Sequence, residues 1–180
     1  MTELIDALYR SHEDIRQYLL DSGELSYASE LEQTSPKVLL LAAASYFESA
    51  VTRFILEFFD SVSDGNELAR SFVEKKALER QFHAMFSWNA TNANTFWALF
   101  GPNFKEYAIA LAKDEPELRE STAAFMEIGS LRNKLVHQNY LVFTLEKTTE
   151  ELYELALKGA DFVTRLPEIF ANYPGPERHA

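Results

Sequence analysis

Apolar residues recur along this chain at intervals of three and four, the period of a helix with one buried face. Leu4, Ile5, Leu8, Ile15, Tyr18 and Leu19 mark such a face over residues 2–21, and Gly23 is a natural stop. This first helix is expected to lie across the core as a cover. Residues 24–34 are acidic and weakly periodic, so they read as a connection. Ser35 and Pro36 then open the most hydrophobic segment, as N-cap and first helical residue. Leu40, Ala44, Phe47, Val51, Phe54, Ile55 and Phe58 form one stripe, and Leu39, Ala43 and Ala50 carry apolar character round the helix. A helix greasy on most sides belongs at the centre of a bundle.

A turn cluster at residues 61–66 leads to a helix expected over 67–87, with Leu68, Phe72, Leu78, Phe82, Met85 and Phe86 as its apolar positions. Residues 88–94 are polar and precede one short helical turn before Gly101 and Pro102. Residues 103–113 resume as helix, and Pro116 suits the first turn of the next, which runs to about His137. Residues 141–145 alternate weakly, over too short a run to assign a strand. Thr148 and Glu151 make a capping box for a last helix from 149 to about 166, which Pro167 should kink or end. Its buried face is Leu152, Leu155, Ala156, Phe162, Val163 and Leu166. The fold class expected is all-α: a bundle of four to five main helices plus short ones. Residues 1–172 form a single domain and 173–180 a flexible tail.

Composition narrows the chemistry. The 180 residues are 47% hydrophobic and 13% aromatic, ample for one packed core. There is no cysteine, which removes disulfides and thiolate metal sites and agrees with a reducing cytoplasm. Glu3 and Asp6 stand where a secretory signal would be basic, and the longest apolar run, residues 38–44, is short for a bilayer. The expectation is therefore a cytoplasmic protein without a membrane partner. The net charge of -11 argues against an extended nucleic-acid footprint, though not against a small cleft that is locally basic. Arg70, Lys75, Lys76 and Arg80 are the one sizeable basic grouping, and a solvated helix face explains them as well as a nucleic-acid patch does.

The stretch from Leu131 to Tyr140, LRNKLVHQNY, concentrates the reactive side chains. On a helix, Ser121, Ala124, Phe125, Ile128, Leu131 and Leu135 fall on one stripe with Arg132 inside it. An arginine among core positions is either ion-paired or facing a cleft. Glu48, at the margin of the apolar stripe of its own helix, is a candidate partner. His137 projects about 140° from Arg132, so a regular helix keeps the two apart. Either the helix ends near Val136 and turns the histidine, or the groups meet across a subunit interface. Asn133 and His137 are four apart and neighbours, so the amide can orient the imidazole or bind a phosphate oxygen. RNA cleavage needs a base for the 2′-hydroxyl, a cation for the phosphorus centre and an acid for the leaving 5′-oxygen. Histidine and arginine suit these tasks. One chain offers a single histidine in this stretch, and a two-fold dimer would offer two. No pair of histidines has metal-ligand spacing, so neither metal nor other cofactor is expected.

RNKLVH at residues 132–137 resembles the R-x4-H motif of the HEPN superfamily, in which a polar residue commonly follows the arginine. Residues 44–59, 91–101 and 124–140 are similar to the RiboL-PSP type of HEPN domain, so the resemblance spans about residues 36–165. It implies an all-α bundle of four or five helices that dimerises with the motif at the interface. It further implies a metal-independent endoribonuclease of toxin–antitoxin, abortive-infection or other defence systems, leaving a 2′,3′-cyclic phosphate on single-stranded or looped RNA. Arg132 and His137 then take the catalytic roles and Asn133 the supporting one, with Glu48, Lys134 and Tyr140 also in support. An antitoxin or regulatory protein is an implied partner. One branch carries a tyrosine two residues after the histidine, modified by a partner nucleotidyltransferase; here Asn139 holds that place and Tyr140 follows. The superfamily also has members that bind without cutting, so the alternative is a non-catalytic helical interaction module of a defence or toxin–antitoxin complex.

Overall fold

The hydrophobic segment expected to begin at Ser35 is the later part of a longer helix. In the computed structural model, which describes residues 3–138 and 143–175, α1 spans Glu3–Asp21 and α2 spans Leu25–Val62, 38 residues with Pro36 inside. Residues 25–34, read from sequence as a connection, are thus helical. Proline in a helix interior costs about 3 kcal/mol, and burial offsets it: Ala28, Leu39 and Leu40 on either side are sealed from solvent. An ion pair at 2.7 Å from Arg16 of α1 to Glu32 holds the early turns in place. The long helix that results packs against α1 and against three later helices. By length and composition α2 could also cross a membrane, with a window of mean hydropathy 1.4, although its longest uninterrupted apolar run is short.

The second departure lies at residues 67–87, where one helix was expected. α3 covers only Glu67–Val73, capped by the Asn66 side chain, which accepts from the N–H groups of Leu68 and Ala69. A π-helical turn follows at Glu74–Leu78, then Arg80 with φ 61°, then a 3-10 turn at Phe82–Met85. The reason is geometric. On an α-helix, Val73 and Leu78 would point about 140° apart, yet both are buried. A π turn bonds residues five apart, as the Glu79 N–H does to the Glu74 carbonyl, and so brings the two into line. The reversal at Arg80 then turns Phe82, Met85 and Phe86 onto the core.

α4 (Asn94–Ala98), α5 (Pro102–Asp114) and α6 (Pro116–His137) match the spacing in the sequence. α7 (Thr149–Ala171) opens on the expected capping box but continues through Pro167. Pro167 itself is exposed, whereas Ile169 and Phe170 beyond it are buried. Phe170 packs on Phe104, Phe100, Phe54 and Phe58 with ring centroids 4.4 to 4.9 Å apart. Burying two such side chains is worth roughly 3–6 kcal/mol, enough to carry the helix past a proline. Tyr173, placed with the tail by sequence, packs edge-on to Phe104 at 5.2 Å and belongs to the fold.

The architecture is all-α, with no strand among the described residues. α6 and α7 form the tightest pair, with Phe125 and Phe162 4.8 Å apart. Gly159 permits this approach, since a Cβ there would meet Phe47 at 2.7 Å and the Phe125 Cα at 3.1 Å. α1 closes over α7 through stacked Tyr9 and Tyr153, the latter donating to Asp6 at 2.7 Å.

Candidate functional site

α6 stays regular to His137, its last residue, where Gln138 donates its N–H to the Lys134 carbonyl. The helix therefore does not end at Val136 to swing the histidine round, and the separation of Arg132 from His137 on this helix stands. Arg132 and Asn133 are half-buried; Lys134 and His137 are exposed. The Arg132 guanidinium donates to the Asn133 Oδ1 at 3.2 Å. The amide expected to serve the imidazole thus anchors the arginine instead. Tyr140 lies outside the described residues.

Glu48, expected as the partner of Arg132, faces His83 instead, Oε2 to Nε2 at 3.9 Å, an ion pair only when the imidazole is protonated. His83 is the residue that sequence reasoning passed over. It sits on the 3-10 turn and lines one small cavity with Ala44 and Phe47 of α2, Gly129 and Arg132 of α6, and Trp88. Trp88 donates its indole N–H to the His83 carbonyl at 2.9 Å. The indole lies over Gly129, where a Cβ would come within 2.0 Å of the ring. Its other contacts are Phe86 and Phe125, at 4.9 and 5.8 Å. Nothing local in the sequence announces His83. The signal available was an arithmetic one: the chemistry wants two proton-transfer groups, and the motif supplies one.

The electrostatics bind these groups together. Burial pushes the His83 imidazole below its ordinary value of 6.5, the Arg132 charge pushes the same way, Glu48 opposes, and His137 adds a small further lowering. His83 thus senses both ends of a motif that the helix splays. His12 on α1 is lowered too, by burial, against Glu13. An unfolded chain takes up these protons near 6.5 while the folded protein resists, so stability falls as the pH drops through that value. Melting temperature should therefore be lower at pH 5.5 than at 7.5, and substituting His12 and His83 by asparagine should flatten the difference. An unchanged melt across that range would contradict the burial of both rings.

Among the described residues no group of three or more His, Asp or Glu is arranged to hold a metal ion. A cleft of about 680 Å³ lies elsewhere, between α1, the start of α2 and residues 143–150. It mixes Glu13, Glu32 and Glu146 with Arg16, Lys37 and Lys147 and holds none of the groups above. Size is therefore no guide to the chemistry: the cavity that His83 and Arg132 share is only about 10 Å³, too small for a ligand, and the candidate site is the open surface at the end of α6. Among known protein families, the model described as RiboL-PSP-HEPN matches residues 6–172. No curated protein and no solved structure matches the chain.

Proposed function

Because the chain belongs to the RiboL-PSP-HEPN family, we propose that it is a metal-independent endoribonuclease acting through Arg132, Asn133 and His137. HEPN domains are generally ribonuclease domains, so membership supports a nuclease-type or RNA-related function. The endonucleolytic step, the residues and the setting are our reading. The observation that carries it is a half-buried Arg132, held by its neighbouring amide on the last turns of α6 that also bear His137, with the His83 imidazole lining the same small cavity. In an acidic protein such a cluster is a local exception.

In this reading the guanidinium of Arg132 faces the non-bridging phosphate oxygens and stabilises the charge that grows on them as the 2′-oxygen attacks. Asn133 fixes the guanidinium. His137 serves a proton transfer, a task for which an imidazole is the usual side chain. Lys75, Lys76 and Arg80, all exposed, lie on the segment leading into the turn that bears His83, and they offer cations to an incoming strand. Lys134, exposed one turn before Gln138, is a further phosphate contact.

Purified protein should cleave single-stranded RNA in excess chelator and leave 2′,3′-cyclic phosphate ends. No cleavage, or equal cleavage by His137→Ala, would falsify the reading. A homodimer with the motif at its interface is part of the same proposal. Leu41 of α2 is 36% exposed and lies in line with Glu48 two turns on, while Val136 of α6 is 52% exposed beside the motif. Solution mass should be that of two chains, and Leu41→Glu with Val136→Glu should give one chain; a monomeric wild type would remove the dimer. The biological setting we propose is a toxin or abortive-infection defence, with an antitoxin or regulatory protein restraining the site.

A further inference from the structure

We propose that His83 is the second proton-transfer group of the site, accepting the 2′-hydroxyl proton at Nε2 while His137 protonates the departing 5′-oxygen. This rests on the ribonuclease reading and adds to it a residue outside the motif. Two uncommon devices, the π-helical turn at Glu74–Leu78 and the positive φ of Arg80, interrupt what the sequence would extend as helix. A left-handed non-glycine residue costs roughly 1–2 kcal/mol, and such strain gathers where a side chain must be aimed. Their combined result is to set His83 against α2 and α6, facing Glu48 and Arg132. The turn is then pinned: Trp88 donates to the carbonyl of His83 itself, and Gly129 leaves room for the indole.

The ring is held with one nitrogen available. Nδ1 is shut off from solvent and has no hydrogen-bond partner, yet the side chain as a whole remains 40% exposed. The open edge is therefore Nε2, the atom turned towards Glu48 at 3.9 Å. That distance is too long for a hydrogen bond and short enough for a carboxylate to stabilise a cation. To act as a base the neutral ring must carry its proton on Nδ1, leaving Nε2 unprotonated. Arg132 beside it lies where a phosphate would be drawn, so the 2′-hydroxyl of a bound nucleotide is brought near Nε2.

The atoms balance without a co-reactant. The 2′-oxygen loses its proton to His83 Nε2 and forms a bond to phosphorus. The bond from phosphorus to the 5′-oxygen breaks, and that oxygen takes a proton from a ring nitrogen of His137. The products are a 2′,3′-cyclic phosphate and a 5′-hydroxyl, and water returns both rings to their starting states. Glu48 stabilises the imidazolium formed on His83 and is a positioning residue. The groups whose charge reaches His83 are Glu48 from α2 and Arg132 and His137 from α6, and Trp88 of its own segment packs beside the ring at 6.1 Å. Burial and Arg132 outweigh Glu48 and leave the ring neutral at pH 7, the form a base requires.

The test uses a single-stranded oligonucleotide with one ribonucleotide, its scissile linkage carrying either oxygen or sulfur at the 5′ position. A thiolate leaves without being protonated, since a thiol ionises near 8.5. On the oxygen linkage, His83→Gln and His137→Ala should each fall about 10²–10⁴-fold. On the sulfur linkage, His137→Ala should recover and His83→Gln should not. His83→Gln that cuts within a few-fold of wild type while His137→Ala is inactive overturns the proposal and leaves the ribonuclease reading standing; recovery of His83→Gln alone reverses the roles and overturns it too. A wild type that cuts neither linkage brings down both. Should His83→Gln unfold, two readouts replace it: free imidazole restoring His83→Gly, and a wild-type acidic limb of kcat/KM with its midpoint below 6.5. Failure of both counts against His83.

Discussion

Alanine in place of His137 is expected to lower RNA cleavage by about 10²–10⁴-fold while the protein melts within a degree or two of wild type. The two halves of this expectation come from different facts. Proton transfer by a positioned side chain carries that much of the rate. Stability depends on what the side chain packs against, and His137 is exposed at the last position of α6. Surface substitutions of this kind usually lie within about 0.5 kcal/mol. Cleavage of a defined single-stranded RNA and a thermal melt, run on the same preparation, separate the two. Equal loss of fold and activity would mean the histidine is structural, and the helical-module reading would gain.

Alanine in place of Gly129 is the substitution expected to disturb the fold and the site together. A Cβ at this position would lie 2.0 to 2.8 Å from three carbons of the Trp88 ring, so the indole must move. It is not free to do so cheaply. Its N–H is held by the His83 carbonyl at 2.9 Å, and its faces lie against Phe86 and Phe125. Overpacking costs typically 1–3 kcal/mol and the tether about 1 kcal/mol, while alanine returns about 1 kcal/mol of helix propensity. The balance is a loss of roughly 1–3 kcal/mol, or a melting point lower by about 2–10 °C. Because the displaced ring carries His83 with it, cleavage should fall by more than the folded fraction does. Gly129→Ala that melts like wild type with full activity would show that Trp88 can yield without moving the turn.

The helical periods of α1, α5 and α6, the Pro116 start of α6, and the Thr148–Glu151 capping box were readable in the chain, and each is where the structure has it. These are local features, set by residues within one or two turns of each other. The R-x4-H motif was readable for the same reason, and with it the family. Proline misled twice, at Pro36 and Pro167, because its cost is local while the compensating burial of Leu39, Leu40, Ile169 and Phe170 comes from other helices. The break after Val73 was invisible for a related reason. Val73 and Leu78 conflict as helical positions only once both are known to be buried.

What the sequence by itself determined is an all-α chain and the placement of Arg132, Asn133 and His137 on one helix end. What only the tertiary structure decided is the company they keep. Glu48 turned out to face His83, and Asn133 to hold Arg132, because those pairings depend on how α2, α6 and the broken segment between α3 and α4 dock. A helix sets angles among its own residues; only packing brings residues from different segments within a few ångströms.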